Sequence, residues 1–374
     1  MRVAEFFAGI GLVRMGLEAH GLKVVWANDI DVNKHTLYVA NFDASDFRLD
    51  DIRNVRGWEL PDIDLATASF PCTDLSLAGN RAGLHGIQSS MFWEFARVLD
   101  EVENLPSTIL IENVPSFASS HAGQDLRSAI SKLNRLGYWC DLLVINARHF
   151  VPQSRARLFI VGSVKQLGNS SNVWEPSEIR PAWIQRFVNQ NPSLRLHALD
   201  LTLPPPTEDT LADIVERLSV SDERWWDAAR YQRFLSELSP AQQERLKCMT
   251  ASDFPVWATA YRRTRYGRPA WEIRGDAISG CLRTARGGSS RQALVEAGLG
   301  VSRVRWMTST EYARLQGAEG YEFASVPENR ALFGFGDAVC VPVVAWLAQS
   351  YLIPLLQGTV TTPVSVAEGT FAVV

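Results

Sequence analysis

Four groups of residues in this 374-residue chain combine side-chain types and positions suited to chemistry. The β-rich apolar run 66–69 leads into Phe70-Pro71-Cys72-Thr73-Asp74-Leu75-Ser76. A cysteine just beyond a strand's carboxyl end lies where α/β folds bind their ligands. As a thiolate it could serve as a nucleophile, while a buried structural cysteine is the plainer reading. Ile109–Ile111 runs in the same way into Glu112-Asn113-Val114-Pro115, so Glu112 either caps the next helix or enters the same crevice. Gln153-Ser154-Arg155-Ala156-Arg157 sets two guanidiniums on one face of an extended segment. Such a pair suits a phosphate or a base carbonyl, or simply a surface edge strand. The fourth group opens the chain, where Val3–Phe7 meets Ala8-Gly9-Ile10-Gly11. Two glycines at a strand-to-helix turn let a ligand approach the backbone, with a helix N-terminus behind them. Asp29, placed 20 residues after Gly9, could accept both hydroxyls of a ribose. The next glycine is Gly16, so the dinucleotide spacing is incomplete. A ligand with a ribose but no pyrophosphate, S-adenosylmethionine foremost, suits it better than a nicotinamide cofactor; a plain tight turn is the remaining reading. Asp51-Ile52 offers adenine a hydrogen bond and an apolar face, or else Asp51 caps a turn.

The elements that must position these groups follow from periodicity. Strands are predicted over 2–8, 22–28, 63–69, 108–113, 139–146 and 158–161. Met91, Phe92, Phe95, Val98, Leu99 and Val102 recur at helical spacing, as do Leu126, Ile130, Leu133 and Leu136. This alternation predicts a parallel α/β sheet covered by helices. Beyond about residue 165 the rhythm stops in a Pro-, Trp- and charge-rich stretch, and helices return over 309–316 and 341–351. The expected organisation is a catalytic and cofactor-binding domain over 1–165 and an inserted, irregular domain over 166–300. A return that completes the first domain follows over 301–357, then a tail over 358–374.

Taken in order, these residues resemble the motif series of the DNA (cytosine-5) methyltransferase family, through most of the chain. Phe7-Ala8-Gly9-Ile10-Gly11 is similar to the family's F-A-G-x-G cofactor loop, with Leu12 where a further glycine is usual. Asp29 stands at the ribose position, Ile30 where a side chain packs on adenine, and Asp51-Ile52 at the next cofactor segment. Pro71-Cys72 with Ser76 resembles P-C-Q-x-F-S, with Thr73 for Gln and Leu75 for Phe. Glu112-Asn113-Val114 matches E-N-V, and residues 153–157 match Q-x-R-x-R. Thr310–Gly317 resembles R-E-A-A-R-L-Q-G, and Gly336-Asp337-Ala338-Val339 with Pro342-Val343 resembles G-N-A-V-x-x-P-V.

The resemblance implies a Rossmann-like S-adenosylmethionine-dependent sheet with an inserted, smaller target-recognition domain. It also implies methyl transfer to C5 of a flipped-out cytosine in double-stranded DNA. Cys72 would attack C6, Glu112 would bond the ring's N3 and amine, and Arg157, with Arg155 nearby, would hold the base carbonyl or a phosphate. Phe7, Ala8, Gly9, Ile10, Gly11, Asp29, Ile30, Asp51, Ile52, Pro71, Met91, Asp337, Ala338 and Val339 form the expected cofactor set. The expected DNA contacts are Ser76, Arg262, Arg263, Arg265, Arg283, Thr284, Arg286, Gly287 and Gly288. Among these, the Arg- and Gly-rich loop 283–288 suits phosphates, with a surface loop as the plainer reading. Asp337 replaces an expected Asn near the cofactor's methionine end, where a carboxylate should weaken binding. A tRNA cytosine methyltransferase of the same family and a catalytically silent DNA-binding relative are the alternatives.

A net charge of −4 taken alone speaks against nucleic acid. Its distribution reverses that reading: residues 1–146 carry −7, residues 147–310 carry +7, and residues 311–374 carry −4. DNA is therefore expected on the middle segment, with strong salt dependence arising there. Five dispersed cysteines without a C-x-x-C pair argue against a disulfide framework or a zinc site and for a reducing cytoplasm. No apolar run is read as approaching the roughly 20 residues of a membrane span. The expected setting is cytoplasmic and nucleoid-associated, as a monomer, with a cognate restriction endonuclease as a further partner.

Overall fold

The computed structural model describes residues 1–71, 91–167, 174–284 and 291–360. Seven strands build the larger sheet: β1 (Arg2–Phe6), β2 (Lys23–Asp29), β3 (Phe47–Leu49), β4 (Leu65–Ala68), β5 (Thr108–Asn113), β6 (Trp139–Asn146) and β7 (Ala156–Ser163). Their spatial order is β3-β2-β1-β4-β5-β7-β6, with β1 to β5 mutually parallel. The α/β sheet read from the sequence is thus present, with one correction. β7 lies between β5 and β6 and is antiparallel to both. Only residues 147–155 join β6 to β7, too few for the helical crossover that a parallel neighbour requires.

The central strands β1, β4 and β5 are buried along nearly their whole length, as parallel strands covered on both faces must be. One face packs on α3 (Met91–Glu101) and α4 (Gln124–Arg135), through Phe92, Phe95, Leu126 and Ile130. The other packs on α1 (Leu12–Glu18) and on the last helices of the chain, through Leu17, Val344, Leu347 and Tyr351. Between β2 and β3 runs α2 (Val32–Asn41), started by Asp31, whose carboxylate accepts the amides of Asn33 and Lys34. The first part of the insertion also lies on this sheet: Ile184 and Phe187 of α5 (Ala182–Gln190), with Leu196, belong to the α3–α4 core.

The expectation of an irregular insertion is corrected by a second, four-stranded antiparallel sheet. It comprises β8 (Val256–Arg265), β9 (Arg268–Ile273), β10 (Ala293–Gly298) and β11 (Val301–Trp306), in the order β11-β10-β8-β9. Residue 300 falls in the β10–β11 turn, so the sheet continues six residues past the expected boundary, to Trp306. After the short α6 (Leu211–Ile214), α7 (Ala228–Ser236) and α8 (Pro240–Thr250) cover one face through Phe234, Leu238 and Leu246. The other face presents Trp257 and Leu294 to α9 (Ser309–Leu315) and α10 (Glu328–Asp337). A fully buried ion pair, Arg305 with Glu311, joins β11 to α9 at 2.8 Å through its longer contact.

The chain ends in α11 (Val341–Leu347), a π turn and α12 (Ile353–Gln357). By length and composition the stretch Glu328–Gln357 could cross a membrane, which corrects the expectation that no such run exists. Two-thirds of its most apolar window, 67%, is buried in the fold.

Candidate active site

The carboxyl edge of the larger sheet collects the residues that the sequence singled out. Because β2, β1, β4 and β5 are neighbours running the same way, Asp29, Phe7, the Phe70-Pro71 segment and Glu112 follow one another along this edge. Adjacent strands lie about 4.8 Å apart. The reversal of β7 brings the beginning of that strand to the same edge, where Leu158 faces Asn113. Arg157, one residue earlier, places its Nε 2.9 Å from Glu112 Oε1. A parallel β7 would have carried this guanidinium to the opposite edge.

Glu112 is buried, 8% exposed, and burial pushes its carboxyl up although Arg157 and Arg155 oppose the shift. A carboxyl so placed holds its proton more readily than a free one and is suited to donate it to a ring nitrogen. Asn113 next to it fixes the geometry. Its amide donates to Phe70 O at 3.2 Å, tying the end of β4 to β5 immediately before Pro71. Asn113 belongs to the E-N-V motif without an expected role of its own, and its adjacency to Glu112 is the signal that could have marked it.

At the other end of the edge, Phe7, Gly9 and Gly11 all have positive φ, at 56°, 59° and 81°. The two glycines have different reasons. Among the described residues, a Cβ on Gly9 would meet nothing nearer than Phe7 O at 3.9 Å, which leaves room for a ligand beside it. A Cβ on Gly11 would strike Phe42 at 2.3 Å, so that glycine serves packing. Ala8 and Ile10 are buried. Asp29 accepts Gly9 N through Oδ2 and Asp31 N through Oδ1, both at 2.9 Å. Each carboxylate oxygen keeps a further lone pair for hydroxyl donors. Ile30, 66% exposed, presents an uncovered apolar face beside it.

Other expected positions fall differently. Asp51 caps the short turn 52–54 and pairs with Arg53, and Ile52 is buried beneath α3, so Asp51 has the turn-capping role and Ile52 offers no open face. Met91 is half-buried at the start of α3, Pro71 is exposed, and Val339 is buried. Cys72, Ser76, Arg286, Gly287 and Gly288 lie outside the described residues.

The expected role of Arg155 in holding a base or phosphate is corrected. The residue is 2% exposed, and its guanidinium bonds Leu282 O at 2.8 Å, Gly336 O at 3.2 Å, Ala338 O at 2.6 Å and Cys281 Sγ at 3.2 Å. These donors join the end of the insertion to the C-terminal return. Gln153, also buried, makes a parallel link, donating to Leu315 O and accepting from Leu282 N. Burial pushes the Cys281 thiol up, but the guanidiniums of Arg155 and Arg157 outweigh it and bring it down to about 7. Nothing in the local sequence around Cys281 marks it as lying beside the two arginines.

The expected DNA contacts on β8 already have acidic partners. Arg262 forms a two-pronged pair with Glu237 at 2.9 Å, and both Arg263 and Arg265 pair with Glu272. Their side chains are still between 37% and 57% exposed. Arg283 is exposed and Thr284 half-buried, and their backbone crosses Gly336 so closely that a Cβ there would lie 2.5 Å from Arg283. Asp337 is not an isolated carboxylate: Lys34 Nζ of α2 lies 3.0 Å from its Oδ2. This partner is 303 positions away in the chain, beyond the reach of any local motif.

The sequence model of the C-5 cytosine-specific DNA methylases matches residues 1–352. The chain belongs to that family. Among relatives, it is 36% identical over 166 residues to the type II methyltransferase M.Bsp6I of a Bacillus species, covering 43% of this chain and 52% of that one. M.HaeII of Haemophilus aegyptius is 33% identical over 167 residues, with 44% and 51% covered. Against these two methylases the chain spans about half the relative's length. M.NlaX of Neisseria lactamica aligns over 361 residues at 26% identity, covering 93% and 95%. Two solved structures share the fold: the Entamoeba histolytica methyltransferase EhMeth, TM-score 0.64 at 14% identity, and S. pombe Dnmt2, TM-score 0.62 at 20% identity. Each is covered over 99% of its length, against 96% and 95% of this chain.

Proposed function

We propose that this chain is a DNA (cytosine-5-)-methyltransferase acting on a flipped-out cytosine in duplex DNA. The observation that carries the reading is the buried Glu112–Arg157 pair on the same sheet edge as the Gly9 turn and Asp29. S-adenosylmethionine fits the second half of that edge: Asp29 would take the ribose, Ile30 the adenine, and the open space over Gly9 the chain between them. When bound, it supplies the electrophilic methyl group.

The chain's own residues prepare the base. C5 of cytosine is a poor nucleophile, and addition of a thiolate at C6 makes it enamine-like. Cys72, which follows the β4 segment held by Asn113, is the residue for that addition. Glu112 would donate its proton to N3 and accept from the exocyclic amine, drawing charge out of the ring as the Cys72 sulfur bonds C6. Arg157 would steady the base carbonyl. Once C5 carries the methyl group, loss of the C5 proton to a base would expel the Cys72 thiolate, Glu112 would take back the N3 proton, and the aromatic ring would be restored. A base in a duplex stack cannot meet these groups, so flipping is required, at a cost of a few kcal/mol.

The second sheet and the segment 283–288 would read and hold the duplex, consistent with the +7 collected over residues 147–310. The likeness to type II methyltransferases supports a restriction-modification role, in which a cognate endonuclease would be the partner and a monomer the working form. Bisulfite sequencing of DNA from cells expressing the chain should show cytosine protected at one recurring sequence. Absence of protected cytosine in DNA, with methylation of tRNA assayed alongside, would overturn the reading.

A further inference from the structure

Asp337 and Lys34 together meet a need that neither meets alone. Lys34 occupies the first turn of α2, immediately after the Asp29–Asp31 corner, and Asp337 closes α10. Asp337 lies between Gly336 and Ala338, whose carbonyls Arg155 holds, so the ion pair links the start of α2 to the strap behind Glu112 and Arg157. Burial opposes the charge on Lys34, but the carboxylates of Asp337, Asp29 and Asp31 outweigh it and hold the ammonium above its ordinary range. The charge of Asp337 in turn reaches Glu112. The pair therefore sits where a ligand lying from Asp29 toward Glu112 would place its far end. It is accessible there, with 23% of the Lys34 side chain and 44% of Asp337 exposed.

A neutral amide is the residue expected at 337. An unpaired carboxylate would repel the carboxylate of an amino-acid group, as the sequence reading anticipated. The structure changes that balance, because each member of the pair can face one charge of a zwitterion. We infer that Lys34 and Asp337 form a zwitterion-recognising pair in which Lys34 holds the α-carboxylate of the cofactor's amino-acid end and Asp337 faces its ammonium. The inference rests on the cofactor reading above and adds Lys34 as a positioning residue that determines cofactor choice.

Calorimetric titration of the full chain with S-adenosylmethionine and with its decarboxylated analogue tests this without DNA or turnover. Lys34→Met should weaken S-adenosylmethionine binding at least tenfold and change the affinity for the decarboxylated analogue less than threefold. Asp337→Asn should cost less than threefold, since the amide still accepts a hydrogen bond. The double variant should recover only in part and stay at least threefold weaker than the parent, because no acid is left unpaired but the α-carboxylate still lacks its lysine. The pair has no such role if Lys34→Met leaves the S-adenosylmethionine dissociation constant within twofold, or weakens both ligands equally. A parent chain that binds neither ligand would overturn the cofactor reading itself, an outcome distinct from selective failure of the variants.

Discussion

Replacing Arg155 by methionine should separate two arginines that look equivalent in the motif. The substitution keeps the length of the side chain and removes its donors from the carbonyls of Leu282, Gly336 and Ala338. Ala338 O retains a bond from Gln316 at 3.2 Å and Leu282 O a weak one from the Cys281 thiol at 3.3 Å, so Gly336 O loses its donor outright and Leu282 O keeps only a sulfur donor. Each unsatisfied buried group costs about 1–3 kcal/mol, giving up to about 6 kcal/mol for these two carbonyls. Part is recovered, because the guanidinium no longer has to be buried; burial is the main influence drawing its pKa below the ordinary range. The net loss should be about 2–4 kcal/mol, read from urea unfolding monitored by tryptophan fluorescence. Arg157→Met differs: Glu112 can relieve its lost partner by taking up a proton, so the stability change should stay below about 1 kcal/mol. Methyl transfer should nevertheless fall about 100-fold or more, as when a transition-state hydrogen-bond donor is removed. Equal destabilisation by the two variants, or a loss below 1 kcal/mol for Arg155→Met, would refute the division of labour between strap and catalyst.

Glu5 on β1 is fully buried, accepts Arg14 N at 3.2 Å, and is pushed by burial from 4.5 to about 8. Its folded pKa exceeds its unfolded one, so its contribution is full below about pH 4.5 and is lost as pH rises toward 8, by up to about 1.4 kcal/mol per unit. Thermal melts of Glu5→Gln across that window should be flatter than those of the parent. Glu311→Leu leaves Arg305 buried without its carboxylate and should cost about 3–5 kcal/mol in urea, while Arg305→Met with Glu311→Leu should restore most of the loss. The raised pKa of Glu112 predicts that kcat/KM declines as pH rises through it. Glu112→Gln, which cannot deliver the proton, should lose about 100-fold or more and lack that limb of the pH profile.

The catalytic edge was legible in the sequence because its signals are local: a strand, then a reactive residue within three positions. The reversal of β7 was also within reach, since the connection 147–155 is too short for a crossover. The second sheet was not, for a physical reason. β8 is buried on both sides, with Trp257 in one core and Ala258 in the other, and its later positions are arginines answered by glutamates. Neither feature gives the clean alternation of a half-buried strand. The different fates of Arg155 and Arg157 depend on partners around 281 and 336, and Lys34 on a carboxylate 303 positions away; a motif does not record such partners.

The central claim is that Cys72 bonds the target base on the edge where Glu112 and Arg157 meet. It is tested most directly with a duplex carrying 5-fluorocytosine, whose fluorine cannot leave as the C5 proton does. A denaturation-resistant protein–DNA adduct is expected, one that requires S-adenosylmethionine and disappears in Cys72→Ser while duplex binding persists. An adduct that survives Cys72→Ser, or no adduct from a parent chain that binds both DNA and cofactor, would contradict it.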